Sequence, residues 1–378
     1  MDISQPAQLM KHLLTCMKLQ GGSDMFITAG FGPAIKLNGA MTPITRKPLS
    51  AEESMALVQS LMDKRQRDDF STSRECNFAM SIDGVGRFRV SAFIQQAKAG
   101  MVIRTINTDI PEIDKLEVPQ QLKEIVMSKR GLLIMVGATG SGKSTTLAAM
   151  IGHRNTNSHG HIITIEDPIE FVHPHVNCIV TQREVGTDTE DWQVALKNTL
   201  RQAPDVIMIG EIRDRETMDH AIAFSETGHL CLATLHANNA NQALDRIVNF
   251  FPEERRAQVL MDLSLNLRAL ISQRLVPRKS GLGRCAAVEI LLNSPLVSEL
   301  IFKGEVHEIK EVMKKSRELG MQTFDQALFD LVDADKISHE EALRHADSVN
   351  DLRLALKING RAAQSQDFSV ATAGLDIL

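Results

Sequence analysis

The sequence contains no tyrosine and only one tryptophan, Trp192, among its 378 residues. Proteins that grip single-stranded nucleic acid stack bases on aromatic rings inside a basic groove. That equipment is scarce here, and charge does not supply it: Lys plus Arg number 42 against 47 Asp plus Glu, a formal net charge of −5. The balance argues against a dedicated nucleic-acid binder, including a nucleic-acid motor. Long apolar runs are also missing, and none approaches the ~18 residues of a membrane span. The start, Met1 to Thr15, carries Asp2, Gln5 and Lys11 where a secretory signal would be uninterruptedly apolar. A cytoplasmic protein is expected. The cysteines, Cys16, Cys76, Cys178, Cys231 and Cys285, are scattered without a C-x-x-C pair. This excludes a disulfide framework and a zinc ribbon, leaving free thiols in a reducing compartment.

What is present is ordinary globular material, 43% hydrophobic and 24% charged, long enough for two or three domains. The first ~100 residues read as mixed α and β. A helical pattern through Leu9, Leu13, Leu14 and Met17 stops at Gly21-Gly22. Short strands are expected at Asp24–Thr28 and Ala34–Leu37, before the turn signal Asn38-Gly39. Ser50-Ala-Glu-Glu53 has the form of a capping box. Strands resume at Phe78–Ile82 and Gly86–Phe93 across Asp83-Gly84. Thr105 to Pro119, with two prolines and little periodicity, reads as a linker.

The pattern then changes. Leu132–Val136 is an apolar run between Gly131 and Gly137, as a buried parallel strand requires. Further buried strands are expected at His161–Ile165, Val206–Ile209 and Leu230–Leu232, with helices between them. This alternation predicts an α/β domain with a largely parallel sheet. From Glu253 to about Asn350 the chain reads as mostly helical, with Ala257–Leu275 and Thr323–Asp333 as examples. The small, polar stretch Arg361–Leu378 is expected to be a disordered tail.

The strongest chemical signal is Gly137-Ala138-Thr139-Gly140-Ser141-Gly142-Lys143-Ser144, followed by Thr145 and a helical run. It fits G-x-x-x-x-G-K-[ST] in its proper setting, after a buried strand and before a helix. The glycines let backbone N–H groups converge on phosphate oxygens, and the helix adds its positive end. Lys143 should reach the β- and γ-phosphates of ATP, and the Ser144 hydroxyl should ligate Mg²⁺. Val206–Ile209 leads into Gly210-Glu211, where an Asp is common in P-loop proteins. Glu211 is expected to hold the Mg²⁺ shell through water. Glu166-Asp167-Pro168-Ile169-Glu170 places three carboxylates after a buried strand, at the edge where open sheets bind ligands. Any of the three suits a base for water. His229 and His236 flank Leu230–Leu235, and a histidine near a γ-phosphate can sense its presence. Arg87 and Arg89 share one strand face by alternation, and Arg104 follows. Their guanidinium forks suit a nucleotide held on a neighbouring subunit.

Together these segments resemble the type II/IV secretion ATPase superfamily, and within it the type IV pilus retraction ATPases of the PilT/PilU family. The resemblance runs over about residues 5–350. It rests on the P-loop, the acidic box Thr164–Phe171, the Walker B segment ending Gly210-Glu211-Ile-Arg-Asp214, and the histidine box Thr227–His236. It implies an N-terminal PAS-like α+β domain at 1–105, a linker at 106–119 and a RecA-like ATPase domain with C-terminal helices at 120–350. A flexible tail would occupy 351–378. It further implies a cytoplasmic homo-hexameric ring that hydrolyses ATP with Mg²⁺ at sites shared with neighbouring subunits. Glu170 would be the general base and Glu211 would act with the metal. His229 and His236 would lie near the site, and Arg87, Arg89 and Arg104 would point toward phosphates. An inner-membrane pilus platform protein (PilC-like) would be a partner. Extension ATPases add an N-terminal domain and a four-cysteine motif; this chain begins almost at the PAS-like domain and lacks the motif, so a retraction rather than an extension ATPase is expected. Pro295-Leu-Val-Ser-Glu-Leu-Ile301 stands where PilT-type members carry Ala-Ile-Arg-Asn-Leu-Ile. That departure resembles PilU and implies an accessory to a PilT-like retraction ATPase. The alternative is an ATP-binding regulatory subunit with little catalysis of its own.

Overall fold

The computed structural model describes residues 5–37, 40–106 and 109–359. The turn signal Asn38-Gly39 and the tail Arg361–Leu378 lie outside the described residues. The chain divides into two compact units. One comprises Met1–Asp109 together with Pro168–Val172 and Glu184–Glu190; the other comprises Ile110–Asp167, His173–Arg183 and Asp191–Leu378.

The first unit is built on strands β1 (Asp24–Thr28), β2 (Ala34–Leu37), β3 (Ala40–Pro43), β4 (Glu75–Ile82), β5 (Gly86–Gln95) and β6 (Lys98–Ile106). They form one sheet in the order β3-β2-β1-β6-β5-β4, with every neighbouring pair antiparallel. Its helices are α1 (Pro6–Leu19), α2 (Ala51–Ser60) and α3 (Lys64–Ser73). Helix α1 begins with Pro6 in its first turn, where the missing N–H costs nothing. Its buried stripe of Leu9, Met10, Leu13, Leu14 and Met17 packs in one core with Phe88, Val90, Met101 and Ile103. The capping box holds: Ser50 Oγ accepts from Glu53 N at 3.0 Å, and Ser50 N donates to Glu53 Oε2 at 2.8 Å.

The expected linker at Thr105 begins too early. Thr105 and Ile106 are the last residues of β6, which is paired on both sides, to β1 and β5. Beyond them, Ile113–Leu116 forms a short 3₁₀ turn.

The second unit is built on β7 (Gly131–Val136), β8 (Gly160–Glu166), β9 (Cys178–Glu184), β10 (Val206–Ile209), β11 (Leu230–Leu235), β12 (Leu267–Pro277) and β13 (Arg284–Leu292). The sheet order is β13-β12-β7-β11-β10-β8-β9. Strands β12, β7, β11, β10 and β8 run parallel, and β13 is antiparallel to β12. Every residue of β7, β10 and β11 is buried, which is why they read as unbroken apolar runs. The helices are α4 (Gln121–Val126), α5 (Lys143–Asn157), α6 (Trp192–Thr199), α7 (Arg215–Glu226), α8 (Ala240–Asn249) and α9 (Glu253–Asn266). They are followed by α10 (Pro295–Lys303), α11 (Ile309–Lys315), α12 (Phe324–Asp333), α13 (His339–His345) and α14 (Val349–Asn359). Among the described residues no helix is long and apolar enough to cross a membrane.

Two expectations fail here. The helix expected over Ala257–Leu275 stops at Asn266, and the chain becomes β12. A short apolar run is compatible with either a buried helix or a buried strand. Pairing decides it: Ala269, Leu270 and Ile271, all buried, lie in register with Leu133, Ile134 and Met135 of β7 and with β13 on the other side. The expected tail at 351–378 also starts too early, because α14 runs to Asn359 and buries Leu352 and Leu356, four residues apart on one face.

Candidate functional site

The loop Gly137–Gly142 joins the buried strand β7 to α5. Gly140 and Gly142 take φ of +77° and +87°, which L side chains adopt at a cost. A Cβ on Gly142 would stand 2.6 Å from Gln273 Nε2, and one on Gly137 would stand 2.4 Å from Ser141 Oγ. At these two positions only bare backbone fits. Lys143 opens α5, and its ammonium is buried within the loop, donating to Gly137 O at 2.7 Å and Ala138 O at 3.0 Å. Ser144 and Thr145 follow in the first helical turn, half-buried, beside N–H groups with no partner within the helix. The Ser141 hydroxyl is buried and makes no hydrogen bond. A glycine-lined curve, a buried ammonium, an unpartnered hydroxyl and the positive end of a 15-residue helix suit a phosphate chain.

Sequence reasoning missed one supporting residue. Gln273 of β12 donates from Nε2 to Ser141 O at 2.9 Å and accepts from Thr146 Oγ1 at 2.8 Å. It is buried and ties the loop to the first turn of α5. The signal was the polar pair Ser272-Gln273 interrupting an apolar run, masked by reading that run as helix.

Strands β7, β11, β10 and β8 lie side by side at spacings of about 4.8 Å. Their carboxyl ends therefore bring the P-loop, His236, Glu211 and Glu166 to one edge. Glu211 is the centre of a small network. Its Oε2 accepts from Arg213 Nε at 2.6 Å, and its Oε1 lies 3.1 Å from His236 Nε2. Arg213 also reaches Asp167 at 3.3 Å, and Glu211 holds its pKa above the ordinary value. Glu166 is buried, accepting from Thr164 Oγ1 at 2.6 Å and Gln182 Nε2 at 3.1 Å. An open cleft beside the P-loop is lined by Ala138, Thr139, His236, Asn238, Gln242 and Arg246.

His229 does not join this group within the chain. It precedes β11, and its carbonyl accepts from Gly131 N at 3.0 Å, at the start of β7. The strand separates it from the P-loop level by about 20 Å, at ~3.3 Å per residue. Its ring nitrogen Nδ1 sits 3.0 Å from Thr227 Oγ1.

The remaining candidates belong to the first unit. Arg89 and Arg104 stand directly opposite each other on β5 and β6, and both are exposed. Like charges facing across a ladder repel, so the pair favours an anion. Arg104 Nε also donates to Asp24 Oδ1 at 2.8 Å. Arg87 Nη2 donates to the buried Glu184 at 3.1 Å. Glu170 is exposed in the segment Pro168–Val172, which clusters with this unit rather than with the P-loop unit.

Comparison with known proteins places these features in a family. Residues 7–290 match the family described as type II/IV secretion system protein. The chain is 61% identical over 367 residues to the type IV pilus ATPase PilU of Pseudomonas aeruginosa, covering 97% of this chain and 96% of that one. It is 42% identical over 335 residues to the type IV pilus retraction ATPase PilT of the same organism, covering 89% and 97% respectively. The crystal structure of the pilus retraction motor PilT with bound ADP superposes with a TM-score of 0.85 at 37% identity, covering 92% of this chain and 98% of that one. With its phosphate loop and acidic edge on the central strands of a parallel sheet, this chain belongs to the type II/IV secretion ATPase family, in the PilT/PilU group of type IV pilus ATPases.

Proposed function

We propose that the chain is an ATP-hydrolysing motor that powers type IV pilus retraction and twitching motility, working as a PilU-like accessory to a PilT-like ATPase. The observation that carries the reading is the P-loop whose buried Lys143 shares one sheet edge with the Glu211–His236 pair. In this reading the first unit is a PAS-like domain and the second a RecA-like domain with C-terminal helices. Six copies form a ring at the cytoplasmic face of the inner membrane, against a PilC-like platform protein.

ATP binds with its phosphates along Gly137–Thr145, and Lys143 exchanges its two loop carbonyls for β- and γ-phosphate oxygens. The donor set suits Mg²⁺, which keeps several waters and takes few protein ligands. Ser144 would supply a hydroxyl, and Glu211, whose two oxygens are already occupied by Arg213 and His236, would reach the ion through water. Bound there, the ion neutralises charge developing on the transferred phosphoryl group. His236 reports the γ-phosphate to Glu211, and His229 is left outside the chain's own site. Glu170 orients and deprotonates the attacking water. Among the three arginines, Arg87 is engaged by the buried Glu184 and Arg104 by Asp24 through Nε alone, so the exposed Arg89, with the remaining arms of Arg104 facing it, is assigned to a neighbour's phosphates. Greater identity to PilU than to PilT supports the accessory role.

The test is steady-state ATP hydrolysis by the purified chain across a concentration series, with mass followed by light scattering and Lys143→Ala as control. Turnover should rise as a hexamer assembles and vanish in Lys143→Ala. Wild-type turnover by Lys143→Ala would refute the active-site assignment. Nucleotide binding without turnover at any assembly state would replace the motor with a regulatory subunit.

A further inference from the structure

Between the acidic box and β10 the chain makes two excursions into the first unit, Pro168–Val172 and Glu184–Glu190. One buried carboxylate joins both excursions to the sheet. Glu184 Oε2 accepts from Arg87 Nη2 of β5 at 3.1 Å and from Ile169 N at 3.1 Å, and Oε1 accepts from Thr187 Oγ1 at 3.3 Å. The turn after it closes on itself, with Glu184 O accepting from Asp188 N at 2.8 Å and Glu184 N donating to Asp188 Oδ2 at 2.9 Å. Ile169 is itself buried, and the next residue is Glu170. The Nε of Arg87 is buried without a partner, so its guanidinium is held at Glu184 by one arm.

We propose that Glu184 is a positioning residue for hydrolysis: with Arg87 it clamps the peptide N–H of Ile169 and thereby fixes where Glu170 presents its carboxylate. The inference rests on the reading of Glu170 as the base and gives Arg87 a task other than phosphate contact. Two donors converge on one oxygen, and a carboxylate accepts both more strongly than a neutral oxygen does. An amide can still present one oxygen to both donors, but without the charge its hold on the guanidinium weakens. Misplacing a water-activating group by about 1 Å is enough to cost ~100-fold in rate while leaving substrate contacts alone.

The experiment measures kcat, KM and the affinity for a fluorescent ATP analogue in the full chain for Glu184→Gln, Arg87→Gln, their double variant and Glu170→Gln. Glu184→Gln should lower kcat about 100-fold with KM and analogue affinity within about twofold of wild type. Arg87→Gln should reproduce that split, and the double variant should be no slower than the slower single variant, as expected for two residues acting as one clamp. Wild-type kcat in Glu184→Gln overturns the proposal. So does a rise in KM with Arg87→Gln, or losses that multiply in the double variant, because either makes Arg87 an independent phosphate contact. If Glu184→Gln fails to fold, Arg87→Lys carries the test, since it keeps the charge but loses the planar reach. It should show the same kcat-selective loss, and an unchanged kcat overturns the proposal. Glu170→Gln separates the two failures. Should it turn over normally, the base assignment is wrong and the positioning role falls with it. Should it be inert while Glu184→Gln is normal, only the positioning role falls.

Discussion

Glu289 of β13 is fully enclosed, yet its Oε1 accepts from Ala240 N at 2.7 Å and from Ser272 Oγ at 3.0 Å. Ala240 is the first residue of α8, the helix that follows His236 and lines the cleft beside the P-loop. Burial pushes the Glu289 carboxyl up from 4.5 to about 7; the Ala240 and Ser272 bonds and Lys310 pull it down, and Asp347 adds to the rise. A carboxyl whose pKa rises on folding holds its proton more tightly in the native state. Its contribution to stability is therefore full below the unfolded value and is lost as pH rises through the folded value. At 1.36 kcal/mol per pH unit the loss is on the order of 3 kcal/mol. Glu289→Gln keeps the accepting oxygen and cannot ionise. The stability of the wild-type chain relative to this variant should fall by about 3 kcal/mol between about pH 4.5 and pH 8. Urea unfolding followed by Trp192 emission measures this, since the only tryptophan lies in the same unit as Glu289. A pH-independent difference between the two proteins would refute the reasoning, because it would mean that Glu289 titrates alike in the folded and unfolded chains.

Gln273→Ala strands Ser141 O and Thr146 Oγ1, a loss of about 1–3 kcal/mol, and nucleotide affinity by fluorescence titration should weaken roughly tenfold. Gly142→Ala forces a side chain into a left-handed backbone against Gln273; the strain of about 1–2 kcal/mol and the clash should weaken the same titration by at least about tenfold. Ser50→Ala removes one half of the α2 capping box and should cost about 1 kcal/mol in circular-dichroism melting, with ATP hydrolysis unchanged.

Local chemistry decided which elements were legible. Strands β1, β2 and β10 are found where expected because turn or polar residues bound them on both sides. Glycines delimit β7 in the same way. Ser50 announced α2 because a capping box is a local device, complete within four residues. Helix α3 escaped notice, although Asp63 and Gln66 cap it in the same manner, because it buries only Phe70 and shows no apolar stripe. Strand β12 was hidden by its neighbour β7: without that pairing its apolar run suits a helix equally well. The same dependence on distant partners explains the site. The P-loop is contiguous and was read directly. The division between His236 and His229 depends on strand direction, and Gln273 depends on a contact across 132 residues of sequence.

The two excursions that return to the first unit have a consequence for how this chain can be cut or exchanged. A fragment ending at Asp109 would keep Arg87 but lose Glu184, its carboxylate partner, and Ile169 with it. The half-buried guanidinium would give up a charge-assisted hydrogen bond, worth about 1.5–3 kcal/mol, so the isolated piece would be weakened at β5. The complementary fragment would carry two loops whose buried residues have lost their cover. Recombination between relatives faces the same constraint: a hybrid joined near residue 109 inherits Arg87 from one parent and Glu184 from the other. The boundary seen in the sequence is thus a poor place for a crossover, and the heritable module is the strand together with both distant segments.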